Sequence, residues 1–189
     1  MVLFSPIGAA VAGSSSETAV LALDDYFLPS LATVPRGGTV VWDFSDAERS
    51  HSATDSSGMG LFDSGLVSPG GPSFGYTFAA AGSYPYTCTI HTDEMNGRVN
   101  VPVRVWPEAG KLGQSFMLRW AMSAAPDGFV YDVQRKRNDG AWSSWRTGAT
   151  VPKAAFEPTR RGTYRFRARL RKESGGRSDW SDAVSLEVA

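Results

Sequence analysis

The chain of 189 residues holds one cysteine and two histidines. A single Cys cannot form a disulfide within its own chain, so no disulfide framework supports the fold. A four-ligand zinc site made of Cys and His alone is equally out of reach unless carboxylates or another chain complete it. Net charge is missing too: nineteen Lys and Arg cancel nineteen Asp and Glu, which removes the overall basic field of a nucleic-acid binder. No apolar run reaches the roughly 18 residues that a membrane-spanning helix needs. What is present is the composition of a globular protein, 42% apolar, with 20 Gly and 11 Pro set between short runs rich in Val, Thr, Tyr, Phe and Trp. That composition excludes a disordered or collagen-like chain, and the length favours two compact units over one.

The zero charge is a cancellation of unlike halves. Residues 1–105 carry Arg36, Arg49, Arg98 and Arg104 against ten Asp and Glu, whereas residues 106–189 carry fifteen Lys and Arg against nine. The change of sign coincides with the break Trp106-Pro107-Glu108-Ala109-Gly110, and together they divide the chain into units of 17–106 and 107–189 after an N-terminal stretch of 1–16. Met1 to Gly13 is apolar and ends in Ala10-Val11-Ala12, the small-x-small form of a signal-peptidase site, with no Lys or Arg before Arg36. Two readings stay open, a shortened export signal or an N-terminal arm. The first would place the mature protein outside the cytoplasm.

Both halves alternate with period two. In the first, Val40, Trp42 and Phe44 share a face, as do Phe74, Tyr76 and Phe78, then Tyr84, Tyr86 and Cys88, and Val99, Val101, Val103 and Val105 give four inward positions in a row. In the second, Phe116, Leu118 and Trp120, then Phe129, Tyr131 and Val133, then Tyr164, Phe166, Ala168 and Leu170, and last Val184, Leu186 and Val188 do the same, with a hairpin signal at Asn138-Asp139-Gly140. Short strands between Gly and Pro turns predict an all-β protein of two antiparallel sandwiches, with no helical periodicity.

All the Cys and His lie in the first half. Cys88, His91 and Met95 follow one another across a strand end and loop, and His51 lies just beyond the Val40 to Phe44 strand. One thiolate, two imidazoles and a thioether are the donor set of a blue-copper site with the Met as a long, weak axial ligand. Soft sulfur suits Cu(I) and imidazole tolerates Cu(II), so a fixed mixed set holds both oxidation states. Zn(II) could occupy the same donors. Met59, within Gly58-Met59-Gly60-Leu61, is a second candidate thioether or part of an apolar rim.

From about Thr18 to Val105 the sequence resembles the cupredoxins, in particular plastocyanin-like small blue copper proteins. The carriers are Phe27-Leu28-Pro29, Gly38-Thr39-Val40-Val41-Trp42, His51, Phe62-Asp63-Ser64-Gly65, Phe74 to Phe78, Gly82-Ser83-Tyr84-Pro85-Tyr86-Thr87-Cys88, His91, Met95 and Gly97. The resemblance implies a Greek-key sandwich, one type 1 copper per chain, His51, Cys88 and His91 as equatorial ligands, and Met95 as axial ligand. The ligand loop departs from the pattern: three residues separate His91 from Met95, where relatives often have two or four. The resemblance also implies an electron route through the edge of His91, ringed by the Gly58 to Leu61 and Ile90 segments, toward a redox partner protein. The acidic balance of this half favours a basic partner surface and salt-sensitive association.

Residues 108–189 resemble a fibronectin type III domain, on Trp120, Tyr131-Asp132-Val133, Gly162 to Arg169 and Trp180-Ser181-Asp182. Arg165, Arg167, Arg169 and Arg171 alternate with the apolar set and face outward. They read either as a docking stripe for an acidic partner or the first half, or, preferred here, as a ladder of guanidiniums stacked on Trp180 and on Trp142 or Trp145. Ser178-Asp179-Trp180-Ser181-Asp182 resembles half of the W-S-x-W-S box of cytokine-receptor modules, where such ladders occur. The expected function is electron transfer by a secreted, periplasmic or cell-surface copper protein that is not an enzyme, since no general base, nucleophile or phosphate loop suggests a substrate. A copper carrier or storage protein, and an adhesion protein with a structural metal, are the alternatives.

Overall fold

A computed structural model describes residues 16–189, so both readings of Met1 to Gly13 fall outside the described residues. Those residues form sixteen strands and no helix, and none of their segments is a helix long and apolar enough to cross a membrane. The first half comprises β1 (Glu17–Leu23), β2 (Tyr26–Leu28), β3 (Leu31–Thr33), β4 (Gly38–Asp43), β5 (Thr54–Asp55), β6 (Phe74–Phe78), β7 (Gly82–Thr87) and β8 (Asn96–Val101). They make two sheets, ordered β2-β1-β4-β6 and β3-β8-β7-β5. The alternation that predicted them is the alternation of burial: Val40, Trp42, Phe44, Tyr84, Tyr86 and Cys88 are all buried between the sheets. Trp42 stacks on Phe62 with ring centroids 5.1 Å apart and meets Tyr86 edge-on at 5.1 Å. Each fully buried large apolar side chain of this kind contributes roughly 1.5–3 kcal/mol.

Two expectations need correction. The sandwich is not wholly antiparallel, because β1 runs parallel to β4 and β3 parallel to β8. After the β1–β2 hairpin the chain leaves for the other sheet, and it returns as β4 on the far side of β1. The final valine strand also divides. Pro102 has no N–H to give to a ladder, so β8 ends at Val101, and β9 (Arg104–Trp106) pairs with the second half instead, placing Val105 opposite Leu118. All four valines are buried as expected, but they serve two sheets.

The second half continues with β10 (Ala109–Gly110), β11 (Phe116–Arg119), β12 (Phe129–Arg137), β13 (Ser143–Ala149), β14 (Lys153–Phe156), β15 (Gly162–Lys172) and β16 (Val184–Val188). Its sheets are β10-β16-β15-β12-β13 and β14-β11-β9. The Asn138-Asp139-Gly140 turn joins β12 to β13, with Asn138 in the left-handed region at φ 50°, as the hairpin signal requires.

The arginine ladder is present. In order, Lys136, Trp142, Arg167, Trp180 and Arg169 stack, with Arg167 4.2 Å from the Trp142 ring and Arg169 4.4 Å from that of Trp180. Gln134 Oε1 accepts from Arg167 at 2.7 and 3.0 Å and aligns it. Trp145 is not a member: it points into the core against Trp120, Phe156 and Phe166. Arg171 instead reaches Asp132. Removing Trp180 deletes two cation–π contacts and the apolar cover they share, so Trp180→Ala is expected to destabilise the full chain by about 1–3 kcal/mol in urea unfolding. A change within about 0.5 kcal/mol would count against the ladder as a stabilising device.

The halves pack closely. Ser83 of β7 and Asp179 exchange both main-chain hydrogen bonds, at 2.9 and 3.0 Å. Asp182 N donates to Asn100 Oδ1 at 2.9 Å, and Lys172 Nζ to the Met59 carbonyl at 3.1 Å. Among the described residues the one ion pair across the junction is Arg98 with Asp179. It joins a cation of the acidic half to an anion of the basic half, the reverse of the two halves' bulk charges.

Candidate metal centre

The three rarest side chains of the sequence converge at one end of the first sandwich. His51 follows β4, held in an antiparallel bridge with Val67. Cys88 follows β7, and His91 lies in the turn that leads to β8. Strands β7 and β8 are kept in register beside this turn by Tyr86 opposite Gly97, where a Cβ on Gly97 would strike the Tyr86 ring. Cys88 and His51 are fully buried, and the His91 side chain is 21% exposed.

Cys88 Sγ lies 3.8 Å from His51 Nδ1 and 3.6 Å from His91 Nδ1, and the two Nδ1 atoms are 3.2 Å apart. A triangle of these sides has a point about 2 Å from every corner, the length of a metal–imidazole bond and a little less than the ~2.3 Å of a metal–thiolate bond. The protonation pattern agrees. His51 Nε2 faces Asp24 Oδ1 at 3.2 Å. The Asp24 carboxyl is held below the usual carboxylate range, chiefly by this hydrogen bond and also by the amides of Glu48 and Arg49, against a smaller opposing effect of burial. An ionised carboxylate only accepts, so a neutral His51 carries its proton on Nε2 and turns a bare Nδ1 lone pair toward Cys88 and His91. Ser52 N points at Cys88 Sγ from 3.4 Å, and Ser52 Oγ accepts from the Thr89 amide at 3.0 Å. The Ser52 amide is thus placed to donate to the Cys88 sulfur, and the Thr89 bond ties the Ser52 side chain to the residue after Cys88. The donor set therefore fits one metal ion, and its softness and geometry fit copper or zinc.

Met95 closes the loop. Its amide donates to the His91 carbonyl at 2.9 Å, its carbonyl accepts from the Cys88 amide at 3.0 Å, and its side chain is fully buried. Met59 is buried as well, and its segment is engaged with the second half: Gly58 abuts Gly176 and the Met59 carbonyl holds Lys172. The exposed apolar residues next to the histidines are Ile90, beside His91, and Leu66, beside the strand bridge of His51.

The sequence reading missed Asp24 and Asp25. The pair forms the two-residue turn between β1 and β2, with Asp25 at φ 68°. Asp24 Oδ1 reaches His51 and the amides of Glu48 and Arg49, while Asp25 sits 3.9 Å from His91 Nε2 and pairs with Arg49 at 2.8 Å. The available signal was a two-residue Asp-Asp connection between alternating strands. Asp24→Asn can still face His51 but ends the carboxylate's hold on its tautomer and basicity. Metal affinity, measured with Zn(II) by competition against a chelator, is expected to fall about 10–100-fold. An unchanged affinity would mean that the contact orients nothing.

No protein-family model and no curated protein sequence matches the chain. Solved structures do. The chain is similar to a purple cupredoxin from Nitrosopumilus maritimus, at 22% identity over 44% of this chain and 97% of that one, with a TM-score of 0.39. It is similar to a reduced mutant of amicyanin, at 26% identity over 51% of this chain and 91% of that one, TM-score 0.40. It is also similar to the copper-containing nitrite reductase from Thermus scotoductus SA-01, at 25% identity and TM-score 0.40, over 51% of this chain and 24% of that much longer one.

Proposed function

We propose that the protein is a mononuclear type 1 copper protein that transfers single electrons outside the cytoplasm. The reading rests on one observation: the only Cys and both His of the chain bring three donor atoms within 4.8 Å of one another. His51, Cys88 and His91 would be the equatorial ligands and Met95 the axial one. When bound, copper would supply a Cu(I)/Cu(II) couple. The chain supplies the rest. Buried His51 and Cys88 keep their positions whichever oxidation state is present, Asp24 fixes one imidazole, and partly exposed His91 gives an edge to a partner. Burial of two donors favours electron cycling over handing the ion on, since a delivery site has to open. Acidic Asp24, Asp25, Asp93 and Glu94 near this edge favour a basic partner surface. Residues 17–106 would form the cupredoxin unit and 107–189 a fibronectin type III-like scaffold, with β9 bridging them.

The test is addition of Cu(II) to the purified full chain. An intense visible thiolate-to-copper charge-transfer band and reversible one-electron voltammetry are expected. A pale complex, or Cu(I) lost at once to a competing chelator, would overturn the reading.

A further inference from the structure

Three arginines meet at the junction of the two sandwiches, with no anionic partner among the described residues. Arg36 sits in the Pro35-Arg36-Gly37-Gly38 turn before β4, Arg104 begins β9 and Arg119 ends β11, where Arg104 and Arg119 are direct cross-strand partners. Like charges opposite each other weaken a sheet. Arg36 is pulled down to about 10, first by burial and then by the charges of Arg104 and Arg119. Among the described residues none of the three forms an ion pair, and residues 1–15 contain no Asp or Glu. Arg36 gives one N–H to the Pro102 carbonyl, but among the described residues its buried Nε has no acceptor. Arg104 is exposed and Arg36 and Arg119 are half-buried, so the one buried donor left over is Arg36 Nε, and a buried charged donor is normally satisfied.

The same residues line a cleft of about 470 Å³ whose other wall is apolar: Trp106, Met117 and Met122. Trp106 is 66% exposed and stands opposite Met117 across the sheet, and the Met122 side chain lies beside Gly37. Guanidiniums offer several parallel N–H donors to a tetrahedral oxyanion, and an indole and two thioethers suit a flat apolar body. Clefts between domains are common ligand sites.

We propose that this cleft binds a phosphate or sulfate monoester of an aromatic or similarly flat apolar body, with the oxyanion on Arg36, Arg104 and Arg119 and the ring on Trp106. The site is separate from the metal centre, since the start of β4 and the end of β8 lie at the opposite end of the first sandwich from Cys88 and His51.

The test uses the full chain with phenyl phosphate, phenyl sulfate, inorganic phosphate and phenol as probes, read by calorimetry and by quenching of Trp106 fluorescence, with Trp106→Phe identifying that signal. Phenyl phosphate or phenyl sulfate is expected to bind at least about tenfold more tightly than inorganic phosphate and phenol, and the tighter ester names the oxyanion. Arg104→Gln and Arg119→Gln are each expected to weaken that ester about tenfold or more while raising the melting temperature of the ligand-free protein, because they relieve the repulsion. Failure of both esters to bind at about 10 mM, inorganic phosphate binding as well as the esters, or undiminished binding to both Gln variants would overturn the proposal. So would Gln variants that melt lower than the parent, since the cluster would then be structural.

Discussion

Cys88→Ser is expected to abolish the intense visible band expected of the Cu(II)-loaded parent, leaving a weakly coloured copper complex of greatly reduced affinity. The band requires sulfur-to-copper charge transfer, and Cys88 is the only cysteine, so no neighbour can substitute. Serine differs from cysteine by one atom, and its hydroxyl stays protonated at neutral pH where a metal-bound thiol does not. The fold should survive. The Cys88 side chain is enclosed with the Ser52 amide 3.4 Å away, a donor that a hydroxyl oxygen can also accept. Metal-free Cys88→Ser is therefore expected to unfold in urea within about 1 kcal/mol of the parent. Keeping the band would remove Cys88 from the ligand set, whereas losing the fold together with the band would make the spectrum uninformative and shift the test to His91→Ala on the half-exposed loop.

The second large effect lies far from the metal donors. Asp132, on β12, has a side chain only 6% exposed, and it accepts from Arg169 Nε at 3.0 Å, Arg169 Nη2 at 2.9 Å, Arg171 Nε at 3.3 Å and the Gly148 amide at 3.0 Å. This one carboxylate ties β15 and β13 to β12 and anchors the end of the arginine ladder. Asp132→Ala leaves two guanidiniums and a main-chain N–H unmatched, and about 3–5 kcal/mol of stability is expected to go, judging from buried pairs broken on one side. Burial pushes the Asp132 carboxyl up, but the Gly148 amide, Arg169 and Arg171 together outweigh burial and leave it below its ordinary 3.8. A carboxylate with a depressed folded value contributes stability in full above the unfolded value and loses it as pH falls through the folded one. The parent should thus lose stability on acidification below about pH 4 more steeply than Asp132→Asn. Parallel acid limbs in the two proteins would show that the carboxylate is not linked to folding.

Much of this was legible in the chain because the informative residues are scarce. With one Cys and two His the candidate donors were few, and it was the resemblance to the cupredoxins that implied their roles, while the strands announced themselves through strict alternation. Two kinds of fact were hidden. The first is contact between common residues far apart in sequence: an Asp-Asp turn reads as a solvated connection, and its service to a histidine 27 positions later depends on how the sheets stack. The second is exchange of partners between sheets. Four valines at spacing two look like one strand, and the loss of a single amide at Pro102 sends the last of them to another neighbour. The arginine cluster belongs to the same class, since its members are 36, 104 and 119 in number and meet only because β9 crosses over.

Trp180 has neighbours with different allegiances. Asp179 on one side exchanges main-chain hydrogen bonds with Ser83 of the first half, and Ser181 on the other is bound to Ala168 of β15. The short segment is thus a buckle: the stacked tryptophan locks it to its own sheet, and the adjoining aspartate fastens that sheet to the strand that runs on into Cys88. Loosening the buckle should let the halves melt one after the other, where the intact protein is expected to give a single transition.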